Sequence, residues 1–495
     1  MPPASDKNAQ TPLDNKFARS VRDNVMAEVV IQIVRVGGMV VLARALGAAQ
    51  FGVFRVLTVI GFFACLVTEA GLMEALIQRK DATAEHDSTA WWTSLVLATL
   101  SAIALYVCAP AIASFMAMPT LTTGVRLLCL PVFLDCLSTT ASAKLQRELE
   151  YRLVAAAEVI AEVAFVVVAL LLLWTPLAQW SLMVGLAVRF AARAIAILVS
   201  KPYLPTTGFK LAALRDLRRF ATSVWGGNLV HLLSANADFL LIGRLLGASA
   251  LGFYSVAWDV LRFIPDRLYK VAGRVTFPAF CLLQDDNERL GRAYRDFFDY
   301  VARIVLPVVA CAAVAAPELI GVVYGPQWMP VAKLLRMLAL GLALVGLRNG
   351  IGSVYYAKDH PAFDIYLHGF RLLLIVIVVG SLASSGLVIV SAGMSGVETV
   401  IGVVGTLLAC WLIELDFRRL AAATIPGLRL AVACGFATGA GKALASFAGV
   451  HGPLVLAFVV VPPAAIFYCL EASTLTTMLA GAFGPARREA AEISG

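Results

Sequence analysis

Carboxylates and guanidinium groups recur in this chain inside stretches that are otherwise apolar. Glu28 and Arg35 lie seven residues apart, on nearly one face of a helix; Glu158 and Glu162 are one turn apart, as are Arg189 and Arg193. Asp135 falls between these groups, and Asp238, Asp259, Arg262, Arg336, Arg348, Arg371 and Lys442 follow. A charge at the centre of a membrane helix costs at least about 2.5–3.5 kcal/mol, so such residues face protein or water. Two arrangements are open. Glu158 and Glu162 pair with Arg189 and Arg193 on neighbouring antiparallel helices, or the arginines line a water-filled cavity suited to an anionic cargo. Arginine's planar fork of donors matches a diphosphate. The candidate head-group ligands are Arg35, Arg189, Arg193, Arg348 and Arg371. Asp135, Glu158, Glu162 and Asp238 are the candidates for coupling to a proton or sodium gradient, since relays in transporters use buried carboxylates. His231 and His368 read as hydrogen-bonded packing residues.

Other chemistries find no support. No GxxxxGK[ST] loop is present, so the chain is not expected to hydrolyse ATP. The nine cysteines form no CxxC pair and no metal spacing; they read as small apolar packing residues, and neither a metal nor a cofactor is implied. The net charge of +8 is distributed over short loops rather than on one polar face, which points to lipid head groups and topology instead of nucleic acid.

The elements that must carry these charges are membrane helices. Of 495 residues, 60% are hydrophobic and 15% charged, against about 25% charged in soluble domains. A span takes roughly 20 apolar residues, and about 14 such stretches occur: 21–43, 50–71, 88–109, 121–142, 153–174, 179–200, 218–241, 251–275, 297–321, 330–355, 362–383, 386–413, 427–447 and 453–478. Loops 110–120, 175–178, 384–385 and 448–452 hold no Lys or Arg. The alternating loops are basic, with Arg79 and Lys80, then Lys144, Arg147 and Arg152, then Lys201, Lys210, Arg215, Arg218 and Arg219, and later Arg289, Arg292, Arg295, Arg418 and Arg419. The positive-inside rule then puts both termini in the cytoplasm. Residues 147–152 and 283–296 read as amphipathic surface helices. Trp91, Trp92, Trp174, Trp180 and Trp328 read as interfacial anchors. Pro131, Pro265, Pro307, Pro426, Pro462 and Pro463 read as kinks or hinges.

The chain also repeats itself. LARALGAAQFGVF (42–54) and IGRLLGASALGFY (242–254) share Arg44/Arg244, Leu46/Leu246, Gly47/Gly247, Ala48/Ala248 and Gly52/Gly252 at an offset of 200. Each segment joins the first span of its half to the second, so this is a parallel repeat about an axis along the membrane normal. The division expected is a cytoplasmic tail (1–20), an N-terminal six-helix bundle (21–200), a cytoplasmic linker (201–217), a C-terminal six-helix bundle (218–413), two further helices (414–478) and a cytoplasmic tail (479–495). Two such bundles suit alternating access. No loop exceeds about 20 residues, too short to fold as a domain of its own, so an enzyme is not expected.

The run LARALGAAQFGVF, then EAGLMEALIQRKDATAEHDSTAWWTSL (69–95) and LQREL (145–149), resembles the polysaccharide transport family, the Wzx-type flippases of the MATE-like (MOP) superfamily. DFLLIGRLLGASALGFYSVAWDV (238–260) and VTFPAFCLLQDD (275–286) fit the same pattern, and the likeness runs from about residue 20 to about 360. The turn TPLAQWSL keeps Trp180 and Ser181 but lacks the glycines expected there. The resemblance implies an all-α polytopic MATE-like fold of two six-helix bundles plus two C-terminal helices. It implies that undecaprenyl-diphosphate-linked repeat units cross the bacterial inner membrane toward the periplasm for exopolysaccharide, capsule or O-antigen synthesis. A polysaccharide polymerase and a chain-length regulator are the protein partners it suggests. The alternatives are an ion-coupled drug antiporter or a lipid II flippase of the same superfamily and, from another class, a membrane polysaccharide polymerase.

Overall fold

The computed structural model describes residues 10–471 apart from 80, 349, 451 and 453, with side chains from Met26 onward except 264 and 267–275. The polar stretch 1–9, the end of the last expected span (472–478) and the tail 479–495 lie outside the described residues. Thirteen helices among the described residues are long and apolar enough to cross a membrane. A further continuous helix covers the expected eighth span. By Cα proximity the chain forms two compact units, Met1–Gly252 and Phe253–Gly495.

Unit 1 contains α1 (Gln10–Ala45), α2 (Ala48–Glu69), α3 (Leu72–Gln78), α4 (Ala84–Phe115), α5 (Leu121–Leu137), α6 (Thr139–Arg147), α7 (Tyr151–Leu172), α8 (Ser181–Ser200), α9 (Leu211–Leu246) and the first turn of α10 (Ala248–Leu282). Lipid is as apolar as leucine, so close van der Waals packing at small residues, rather than apolar burial, holds membrane helices together. Gly38 of α1 is pressed against α7, where an added Cβ would lie 2.4 Å from Val166 Cγ1. Gly185 of α8 meets Phe165 of α7 in the same way, at 2.9 Å. These two contacts bring α1 and α8 against adjacent residues of α7, one turn from Glu162.

The fourth expected span is broken. Pro131 sits inside α5 without ending it, and α5 ends at Leu137, where Ser138 donates through both its backbone N–H (3.0 Å) and Oγ (2.6 Å) to the Asp135 carbonyl. At the other end of α2, Ala70 and Gly71 take left-handed φ values of 46° and 71° and turn the chain into α3. Below them Leu72, Ala75, Leu76, Ala90, Ala143, Leu217 and Ala221 form a small buried core. The two copies of the repeated segment meet within unit 1. A Cβ on Gly52 would lie 1.9 Å from the Ala248 carbonyl oxygen, and one on Gly252 would lie 1.8 Å from that of Ala48. The shared glycines therefore let two helix N-termini cross backbone to backbone.

Unit 2 continues α10 and adds α11 (Asn287–Val314), α12 (Ala316–Val323), α13 (Met329–Arg348), α14 (Ile351–Ala357), α15 (Ala362–Leu382), α16 (Leu387–Leu412), α17 (Phe417–Ala423), α18 (Ile425–Phe447) and α19 (Leu454–Glu471). Gly341 lets α13 approach α16, its Cβ position 2.5 Å from the Ser395 carbonyl oxygen.

Several local expectations change. Residues 147–152 are no surface helix but a tight turn with Leu149 at φ 58°, because α6 and α7 need a sharp reversal. Residues 287–296 are the first turns of α11, capped by the Asp286 carboxylate accepting from the Arg289 N–H at 2.9 Å. Trp328 is fully buried, packed against Phe253 and Tyr324, and so is not an interfacial anchor. Pro426 opens α18 instead of kinking it, at a position where its missing N–H costs nothing. The glycine-free turn before Trp180 is a 3-10 turn at Ala178–Trp180 with negative φ on both flanking residues, which any residue can adopt.

Candidate functional site

In unit 1 a cavity of about 370 Å³ is walled by α2, α5, α7, α8 and α9. Glu69, Asp135, Glu158, Arg189, Arg193 and His231 supply its ionisable lining, with Cys65 and Asn228 adding polar atoms and Phe62, Leu66, Phe190 and Leu232 the apolar part.

The charges within reach form two groups. Arg193 lies between two carboxylates, donating from Nε to Glu158 Oε1 at 2.7 Å and from Nη1 to Asp135 Oδ1 at 2.6 Å. The Cys65 thiol also faces Asp135, 3.7 Å from Oδ2. The second group centres on Glu162, whose side chain is 2% exposed. Arg35 grips it with both prongs, Nε to Oε1 at 2.8 Å and Nη2 to Oε2 at 2.7 Å. Arg189 approaches the same Oε2 with Nε at 3.2 Å. The ion pairing expected between α7 and α8 is thus the geometry of this unit, with Arg35 and Asp135 added to it.

Sequence and packing together account for the arrangement. Glu158 and Glu162 share a face because one turn separates them, and so do Arg189 and Arg193. Gly38 and Gly185 set the close helix approach that lets the guanidinium groups reach. The break after Asp135 ends α5 beside α8.

In unit 2 the same spans of the repeat carry an inverted set. Glu398 of α16 lies between Arg371 of α15 and Arg348 at the end of α13. Arg371 donates twice to Glu398 Oε1, from Nε at 2.8 Å and Nη2 at 2.5 Å. Arg348 reaches Oε2 at 3.5 Å. Glu398 and Arg371 are buried, their side chains at 1% and 5% exposure, and Arg348 is partly buried at 14%. In unit 1, then, an arginine of the sixth span is held by carboxylates of the fourth and fifth; in unit 2 a carboxylate of the sixth span is held by arginines of the fourth and fifth.

Of the candidates, Arg189, Arg193, Asp135 and Glu158 line the unit 1 cavity, Arg35 and Glu162 stand behind Arg189, and Arg348 and Arg371 meet on Glu398. Asp238 is fully buried in α9 and is not among the cavity-lining residues. His231 lines the cavity; His368 lies 3.9 Å from Asp364. Glu398 and Glu69 escaped the sequence reading. Glu398 is a single carboxylate in the 26-residue helix α16, so its signal was present; what the sequence lacked was the rotation that turns it onto two arginines.

The end of unit 1 that bears the basic loops is held by Asp87, which pairs with Lys144 (3.0 Å) and Arg147 (3.8 Å). Ser88 beside it accepts the N–H groups of Thr206 and Thr207. Lys144 Nζ also lies 4.3 Å over the Tyr203 ring, and burial together with Asp87 raises the Tyr203 phenol above its ordinary pKa. Among the described residues no group of His, Cys, Asp and Glu is placed to hold a metal ion.

The fold is that of known flippases and transporters. A solved structure described as "Lipid II flippase MurJ, inward closed conformation" superimposes with a TM-score of 0.74 at 12% identity, covering 92% of this chain and 99% of that one. An inward-facing multidrug resistance MATE family transporter of the MOP superfamily gives 0.64 at 16% identity, covering 78% and 94%. Among curated proteins, the lipopolysaccharide biosynthesis protein WzxC of Escherichia coli K12 is 27% identical over 373 residues, 74% of this chain and 76% of its own. The succinoglycan biosynthesis transport protein ExoT of Rhizobium meliloti is 29% identical over 309 residues, 62% of each chain. The family described as "Polysaccharide biosynthesis protein" matches residues 41–333, more than half of the sequence. This chain is a member of the polysaccharide biosynthesis protein family.

Proposed function

We propose that this protein flips polyprenyl-diphosphate-linked oligosaccharide repeat units across the bacterial inner membrane, from the cytoplasmic to the periplasmic leaflet, for exopolysaccharide, capsule or O-antigen synthesis. The observation that carries the reading is a cavity inside a membrane-spanning helical unit, lined by the guanidinium groups of Arg189 and Arg193 beside the carboxylates of Glu69, Asp135 and Glu158, in a chain of a polysaccharide biosynthesis family. Apolar walls such as Phe62 and Leu66 suit a lipid's first isoprenoid units, and Arg189 suits its diphosphate. Relatives carry matching names: one is a transport protein for succinoglycan synthesis.

In this reading both termini are cytoplasmic, and the two repeat halves, 21–200 and 218–413, alternate access around the cargo. Arg35, Arg189, Arg193, Arg348 and Arg371 form the cationic set, and Asp135, Glu158, Glu162 and Asp238 are the carboxylates through which an ion gradient drives the cycle. The chain acts as a carrier rather than an enzyme, and hands its cargo to a polymerase and chain-length regulator in the same membrane.

The test is a gene deletion followed by treatment with a sugar-modifying reagent confined to the periplasm. Lipid-linked repeats that accumulate yet stay shielded from the reagent support the flippase. Single repeats that accumulate and react with it mean that translocation is intact, which contradicts the proposal.

A further inference from the structure

The end of unit 1 that bears the basic loops carries charges that the cavity does not use. The linker after α8 and the opening turns of α9 hold Lys201, Lys210, Arg215, Arg218 and Arg219 against Asp216 alone. Lys201 is taken by Glu148 at 2.6 Å and Lys210 by Glu85, while Asp216 faces Arg79 at 3.4 Å. Arg215, Arg218 and Arg219 are exposed, and none of them has an ion pair among the described residues. The basic turns that open α11 in unit 2 differ, because they neutralise themselves. There Arg289, Arg292 and Arg295 pair with Asp286 (3.2 Å), Glu288 (2.7 Å) and Asp296 (3.1 Å).

The opening turns of α9 are amphipathic. Ala213, Leu217 and Ala221 recur at four-residue intervals and are buried, Leu217 and Ala221 against Leu72, Leu76 and Ala143. With that face seated in the core, Leu211, Arg215, Arg218 and Arg219 stand on the other side. Large apolar side chains are exposed beside these cations, Leu204 at 78%, Phe209 at 51% and Leu211 at 53%. The linker that carries them is tied down on α4. Ser88 accepts the N–H groups of Thr206 and Thr207, Thr89 Oγ1 accepts that of Lys210 at 3.2 Å, and Trp92 Nε1 donates to the Thr207 carbonyl at 3.3 Å. Helix α9 has 36 residues, against the roughly 20 of a span, so its charged opening turns reach the head-group level. A partner for this surface must be anionic and apolar at once and must lie at the membrane boundary. A lipid leaflet meets all of these conditions, whereas a nucleic acid or an acidic soluble protein offers the charge without acyl chains.

We propose that residues 204–219 form a docking surface for anionic phospholipid. Arg215, Arg218 and Arg219 take the head-group phosphates of a lipid such as phosphatidylglycerol, and Leu204, Phe209 and Leu211 enter the adjoining acyl region. The segment that joins the two repeat halves is thereby held on the leaflet instead of lying free in water. With the orientation proposed from the basic loops, that leaflet is the cytoplasmic one. The surface lies outside the cavity, and its assignment does not depend on what the cavity carries.

The experiment compares thermal unfolding of the full-length protein in nanodiscs of phosphatidylcholine alone and of phosphatidylcholine mixed with phosphatidylglycerol. A lipid that binds the folded state raises the unfolding midpoint. The wild-type protein unfolds several degrees higher in the mixed nanodiscs, and added salt shrinks the difference, because exposed charges are screened. The triple variant Arg215→Gln, Arg218→Gln and Arg219→Gln matches the wild type in neutral nanodiscs, since it breaks no ion pair among the described residues, and loses most of the difference. The triple variant Arg289→Gln, Arg292→Gln and Arg295→Gln, which removes arginines already paired with carboxylates, keeps it.

A wild-type difference in the α9 triple variant overturns the assignment. So does an equal loss in the α11 triple variant, which would mean that overall charge, not this surface, attracts the lipid. Inorganic phosphate that stabilises the protein in neutral nanodiscs as much as phosphatidylglycerol does would reassign the arginines to a free anion and overturn it too. No difference between the two nanodiscs for the wild-type protein overturns it outright. In each of these cases the reading of the cavity stands.

Discussion

Glu398 shows how strongly a single buried carboxylate can be committed. Two guanidinium groups converge on it and it is almost unexposed, so Glu398→Gln removes the ionised group that Arg348 and Arg371 share. Breaking such a group costs about 3–5 kcal/mol. Glu158→Gln should cost much less, since Glu158 is one-third exposed and Arg193 keeps Asp135. Thermal unfolding of the two variants in detergent checks this; equal losses of stability would contradict it. A second prediction concerns Glu69, which ends α2 at the cavity wall with no ion pair among the described residues. Glu69→Gln removes a negative charge facing an anionic ligand, so farnesyl diphosphate should bind several-fold more tightly; weaker binding would show that Glu69 supports the ligand. At this scale the sequence was informative about which residue types matter. The one-turn spacings of Glu158 with Glu162 and of Arg189 with Arg193 announced their shared faces. It said nothing about which arginine was held twice and which once, because that depends on helix rotation and on Gly38 and Gly185.

Among the elements, the reciprocal contact of Gly52 and Gly252 explains why the repeated segment keeps its glycine. Each Cβ position falls within 2 Å of a backbone carbonyl oxygen, and a backbone cannot yield as a flexible side chain can. Gly52→Ala or Gly252→Ala should therefore sharply reduce the folded fraction seen by fluorescence-detected size exclusion. Gly208→Ala and Gly369→Ala, where nothing lies within 4 Å of the added atom, should leave it unchanged. Normal folding of Gly52→Ala would mean that the crossing is looser than the contact implies. The repeat itself was legible as recurring residues at a fixed offset, and the spans as apolar runs. The turn at 147–152 and the start of α11 were not, because short mixed-charge stretches suit a surface helix, a turn or a helix start equally well until the neighbouring helices fix the direction of the chain.

For the whole molecule, the helical polytopic architecture followed from composition and hydropathy, since an apolar run of span length has few other stable forms in lipid. The orientation proposed from the basic loops makes a direct prediction. A green fluorescent protein fused after residue 495 should fluoresce, and an alkaline phosphatase fused there should be inactive; an active phosphatase would reverse the topology. The division of the chain between Gly252 and Phe253 by proximity was not readable, because it depends on which helices α9 packs against rather than on where the repeat begins. The central claim is translocation, and it is tested most directly by reconstituting the purified protein into liposomes loaded in both leaflets with a polyprenyl-diphosphate-linked saccharide, then adding a membrane-impermeant glycosidase. If the protein translocates the lipid, essentially all of the saccharide becomes cleavable in vesicles containing it, whereas the inner-leaflet share stays protected in protein-free vesicles. Equal protection in the two would contradict translocation.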